Sequence, residues 1–176
     1  MPLSSVVGAQ SIVKPGVCTS STRPASPYDG QVIYETDTNR TLAFNGSTWD
    51  ILSDMGAWTA YTPTVTSSGG SITTVGAVSA VYQQVGKTVF VNFSVAITTV
   101  GTASGQLLLT LPVSSSTNMP VDGAFGTARE TVLTGFSLTV SKSAGGRAAI
   151  YKYDGSGVFP LGNGVTAKGF IIYEAA

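Results

Sequence analysis

The chain has 176 residues, 43% hydrophobic and only 10% charged, with nine Lys plus Arg balancing nine Asp plus Glu and no histidine. That length holds one domain and a small module, and the apolar content argues against disorder. A neutral balance without a basic stripe weighs against a nucleic-acid partner, and the lack of histidine removes the commonest general base and metal ligand.

The segment 1–22 is small and polar, interrupted by Gly8, Pro15 and Gly16, with brief strand-like pairs at Val6-Val7 and Ile12-Val13. It is expected to be an extended attachment segment that orders by adding backbone hydrogen bonds to an edge of another protein. A loose terminus is the plainer alternative. No basic and apolar leader opens the sequence, and apolar runs such as Leu107-Leu108-Leu109 fall far short of the ~20 residues of a spanning helix. Neither secretion nor membrane insertion is therefore expected. Cys18 is the only cysteine, so no intrachain disulfide can form, and it reads as a packed thiol without chemistry.

Residues 23–54 are expected to form a β-meander of three short strands. Residues 31–35 alternate, with Val32 and Tyr34 opposite Gln31, Ile33 and Glu35, and residues 41–45 alternate with Leu42 and Phe44 on one face. Asp37-Thr38-Asn39-Arg40 is turn chemistry, because Asp and Asn bond their own backbone and tolerate positive φ. Asn45-Gly46 signals a hairpin leading into residues 49–52. Pro24 and Pro27 hold the entry extended. Val32, Tyr34, Leu42, Phe44, Trp49 and Ile51 are more apolar surface than so small a sheet can cover alone. They must meet the rest of the chain or sister copies.

Past a short linker at Gly56, residues 55–176 read as a second, all-β domain. Residues 59–66 form a strand that Pro63 confines to an edge or bulge. Residues 67–70 are a turn. Residues 75–85 follow, with Val78, Ala80 and Tyr82 on one face, and Gly86-Lys87 reverses the chain. Residues 89–97 give the clearest alternation, with Val89, Val91, Phe93, Val95 and Ile97 pointing one way and Phe90 interrupting the polar face. Leu107, Leu109 and Leu111 repeat the pattern, as do Phe136, Leu138 and Val140 after a weaker stretch at 124–129. Residues 148–153 and 169–173 supply two more strands. This spacing predicts a jelly-roll-like antiparallel β-sandwich.

Catalytic chemistry is hard to assemble from this set. Glu35 and Asp37 are the closest carboxylate pair, but they sit in a turn beside Arg40, where solvated turn residues explain them better than a glycosidase site. Asp37-Thr38-Asn39 and Asp154-Gly155-Ser156 lack the ligand series of a calcium loop. Gly155-Ser156-Gly157 and Gly162-Asn163-Gly164 lack the following Lys-Ser/Thr of a phosphate cradle. No enzyme, cofactor or metal is expected. Tyr151, Tyr153, Phe159 and Tyr173 gather late in the chain near Gly-rich loops, and Tyr151, Tyr153 and Phe159 are the candidates for stacking on sugar rings of a host-surface glycan. Core or subunit-interface filling is the plainer reading.

The run Pro24-x-x-Pro27-x-x-Gly30-Gln31-x-Ile33-Tyr34-Glu35-Thr36-Asp37-Thr38-Asn39-Arg40, followed by Phe44-Asn45-Gly46 and Ser47-x-Trp49, resembles a short module of bacteriophage tail-fibre and other virion appendage proteins. Residues 58–63 and 82–87, Trp-Thr-Ala-Tyr-Thr-Pro and Tyr-Gln-Gln-Val-Gly-Lys, are similar to the distal β domains of such proteins. The resemblance implies a structural virion protein made in the host bacterial cytoplasm. Its expected form is a short homotrimeric tail fibre or spike, attached to another virion protein through residues 1–22. The meander would trimerise through the six apolar residues named above, and the distal domain would face the host. A capsid decoration protein that clamps shell subunits is the alternative.

Overall fold

A computed structural model describes residues 15–54, 56, 58–154 and 162–176, and the chain divides into two compact units at Gly56/Ala57. Both units are built of strands, and no helix occurs among the described residues.

The first unit is a four-stranded sheet of β1 (Gly16–Cys18), β2 (Val32–Glu35), β3 (Arg40–Phe44) and β4 (Trp49–Asp54), in that order. The three-stranded meander is there as read, but β1 was not legible. It pairs parallel to β2, with Val17 opposite Tyr34. Parallel neighbours need a long crossover, and residues 19–31 provide it. Arg23 of that crossover reaches the side chain of Glu35, which shares a face with Ile33, so the crossover lies over that face. Ile33 and Leu42, opposite each other across β2 and β3, are accordingly 1% and 2% exposed. At the hairpin, Asn45 N–H donates to Thr48 O, so Gly46 (φ 91°) takes the first central position. Asn45 Oδ1 meanwhile accepts the amides of Ser47 and Thr48.

The second unit is a nine-stranded sheet in which every pairing is antiparallel. Its strands are β5 (Thr59–Tyr61), β6 (Val65–Gly69), β7 (Thr74–Val85), β8 (Thr88–Thr99), β9 (Ser104–Leu109), β10 (Ala124–Glu130), β11 (Ser137–Lys142), β12 (Ala148–Lys152) and β13 (Val165–Glu174). Their order is β5-β7-β8-β13-β10-β11-β12-β9-β6. Consecutive strands β5 and β6 thus occupy opposite edges. Laid flat, nine strands would span about 38 Å, whereas residues 62–64 reach at most about 14 Å. The sheet therefore curls until its edges approach, giving an all-β, sandwich-like body around one core. The stretch read as a single strand at 59–66 is two edge strands, broken around Pro63.

The alternation read along β8 is what fills that core. Val89, Val91, Phe93, Val95 and Ile97 are all at most 5% exposed and meet Leu107, Leu109, Leu138, Val140, Ile150 and Ile171. Phe136 breaks the expected pattern: it precedes β11 and is 42% exposed, while Leu138 and Val140 are buried. Backbones approach closely where β10 pairs with β13. A Cβ at Gly169 would sit 2.4 Å from Thr127 O and 2.5 Å from Ala128 Cβ, and one at Gly126 would sit 2.3 Å from Phe170 O. Only the absence of a side chain lets these backbones approach. Gly169→Val should lower unfolding free energy by about 1–3 kcal/mol or more, read from the denaturation midpoint in urea. An unchanged midpoint would mean that this approach is not needed for the curl.

Candidate functional site

A carboxylate taken wholly out of water is costly unless hydrogen bonds replace its hydration. Each unit contains such a group. Glu130 ends β10 with no exposed surface. Its Oε1 accepts the amides of Val132 at 2.8 Å and Thr166 at 3.3 Å. Its Oε2 accepts those of Leu133 at 2.9 Å and Gly135 at 3.2 Å, the amide of Thr134, and the Thr134 hydroxyl at 2.9 Å. Burial pushes the carboxyl up, but the amides of Thr134, Val132, Leu133 and Thr166 outweigh it and hold the group far below the ordinary carboxylate range. Glu130 is therefore an anion folded into a nest of backbone N–H groups.

The consequence is a loop, residues 131–136, with its amides turned inward and Val132, Leu133 and Phe136 exposed beside Thr131 and Thr134. Val132 is 62% exposed, Leu133 57% and Phe136 42%. Lys152 Nζ lies 4.7 Å from the centre of the Phe136 ring, a cation–π contact. Arg129 Nε donates to Gly135 O at 3.3 Å, anchoring the far side of the loop. Arg129 is also opposite Lys168 across β10 and β13, and both are exposed.

Of the late aromatic residues, Tyr153 is 71% exposed, and its amide donates to Ser137 O just past that loop. Tyr151 is half-buried, two residues earlier. Phe159 lies outside the described residues. Tyr173 belongs to the core: it is 3% exposed, its hydroxyl donates to Val113 O at 2.8 Å, and burial pushes that hydroxyl up to about 12. Sequence reading did not single out Glu130 or Val132-Leu133. The available signal was a carboxylate at a strand end followed by Thr134-Gly135, a pattern suited to bonding the amides of a reversal.

In the first unit, Glu35 is likewise fully buried. Burial pushes its carboxyl up, while Arg23 and the Thr38 hydroxyl at 2.7 Å hold it below the ordinary range overall. Cys18, paired with Glu35 across β1 and β2, has its thiol pushed up by burial and then by that negative charge, away from thiolate chemistry. The six apolar residues of the meander divide between two faces. Leu42, Phe44, Trp49 and Ile51 share the face of Ile33, where Leu42 is already buried within the chain. Val32 and Tyr34 lie on the other face with Val17, and Val32 is 37% exposed and Val17 69%. Ile33, left out of the sequence-based set, is the most buried side chain of the module's apolar residues.

Two further features lie at the opposite end of β11. A groove of about 510 Å³ is lined by Ser67, Ser68, Gln106, Asp122, Ser143 and Arg147, with Asp122 at φ 62°. Beside it, the buried Lys142 Nζ donates to Ser116 O at 2.7 Å and Met119 O at 2.9 Å, tying that turn to β11. Among the described residues no group of three or more His, Cys, Asp or Glu could hold a metal, and no helix is long and apolar enough to cross a membrane. Comparison with protein-family profiles, curated proteins and solved structures finds no match.

The loop should depend on the charge of Glu130. Glu130→Gln supplies one acceptor oxygen and buries two unneeded donors, costing about 2–4 kcal/mol at neutral pH. Because the folded group titrates below its unfolded value of about 4.3, its contribution is complete above that value and is lost as pH falls toward the folded one. Unfolding free energies of wild type and variant should therefore converge below about pH 4. A gap independent of pH would show that the charge is not what holds the loop.

Proposed function

We propose that this chain is a structural bacteriophage virion protein, a short homotrimeric tail fibre or spike that attaches at its N-terminal end and presents the second unit to the host surface. What carries the reading is the residue run at 24–49, which resembles the appendage module. In the fold, those residues form most of one compact β unit followed by a separate, larger one. The exposed face with Val17 and Val32 gives the first unit an apolar surface for sister copies. A surface with few charges suits such packing, since little charge must be desolvated. β1, within the 1–22 attachment segment, is an edge strand of its sheet, and residues 1–14 lie outside the described residues.

Sedimentation equilibrium of the full chain at micromolar concentration should give three times the 18.0 kDa chain mass. A stable folded monomer would contradict the trimer. Removing residues 1–14 should leave that mass multiple and the fold intact while abolishing incorporation into particles. Normal incorporation would place the attachment elsewhere.

A further inference from the structure

The loop at 131–136 joins three properties that a lipid interface selects together. Its outward side chains Val132, Leu133 and Phe136 are exposed and apolar, which on a lone water-facing loop is unfavourable without a partner. Its amides are already engaged: those of residues 132, 133, 134 and 135 all donate to Glu130. Irregular backbone enters hydrocarbon only where its polar groups have partners, because each bare amide costs several kcal/mol there. An ordinary protein-docking loop has no such requirement.

The third property is charge. Arg129 and Lys168 stand directly opposite each other, a like-charge pair that destabilises a sheet unless an anion bridges it. Lys152 flanks Phe136. Glu130 is engaged with the amides, and the other acidic side chain at this end is Asp154, so three cations meet one exposed carboxylate. None of the three cations forms an ion pair among the described residues. Arg129 Nε donates to Gly135 O at 3.3 Å, so its guanidinium lies against the loop itself.

We infer that this loop docks on an anionic lipid surface, with Val132 and Leu133 entering the outer acyl region and Arg129, Lys168 and Lys152 meeting lipid phosphates. The inference deepens the host-facing reading of the second unit and rests on it for its setting. A loop that enters one leaflet needs no spanning segment, so the lack of an apolar run does not oppose it.

The test uses the full chain with sedimenting vesicles of phosphatidylcholine alone or mixed in equal parts with phosphatidylglycerol. Wild type should pellet with the mixed vesicles, weakly with phosphatidylcholine, and less as salt rises. Val132→Ser with Leu133→Ser should reduce partitioning tenfold or more without moving the unfolding midpoint, since both side chains are exposed. Arg129→Gln with Lys168→Gln should remove the preference for the anionic mixture. Equal pelleting of the serine double variant and wild type would overturn the inference, as would no binding by wild type. A fall in sedimentation mass of the serine variant would also overturn it, by making the loop a contact between sister copies. A protein that ignores vesicles but still attaches to host cells would overturn the lipid surface and leave the host-facing reading standing.

Discussion

A carboxylate without water must be surrounded by donors, and Glu130 obtains them by folding the chain that follows it back over its own oxygens. That one constraint orders residues 131–136, fixes the end of β10 against Thr166 of β13, and turns Val132 and Leu133 outward because the inside of the loop is occupied by N–H groups. The first unit repeats the principle with a different donor. Glu35 is buried under Arg23 and Thr38, so the crossover from β1 is fastened to the sheet it covers. Among the described residues of a chain with so few charges, the two fully buried carboxylates both close a turn.

The larger unit gets its shape from connectivity. Because three residues join the two edge strands of a nine-stranded sheet, the sheet curls, and alternation along the long central strands then places one face of each inside. Glycines where β10 pairs with β13 let the two backbones approach closely. Curling also limits the edge-pairing hazard that an open sheet of this size would carry.

Much of this was legible in the sequence and some was not, for reasons that can be named. β8 was read almost to its ends because its period of two is uninterrupted on the buried side. The turns at Asn39 and Gly46 were read from residues that tolerate positive φ, and both adopt it. The parallel pairing of β1 was invisible, since three residues carry no period and their partner is set by a crossover. The separation of β5 from β6 was equally hidden: Pro63 marks a break, but nothing local says that the two halves go to opposite edges. Phe136 looked like a continuation of the Leu138–Val140 face. It lies outside because the Glu130 nest ends only at Gly135, so the strand begins one residue later. The six apolar residues of the meander were counted as one surface, whereas register divides them between a covered face and an open one.

The central physical claim is that residues 132–135 are held by an ionised, buried Glu130 rather than by crowding from neighbours. Amide hydrogen exchange at single-residue resolution at neutral pH tests it most directly. Protection of the Val132, Leu133, Thr134 and Gly135 amides approaching that of β10, in a loop whose side chains face solvent, is the expected result. Exchange of those four amides at unstructured-chain rates would show that the nest is open in solution, and the loop would lose its reason to be fixed.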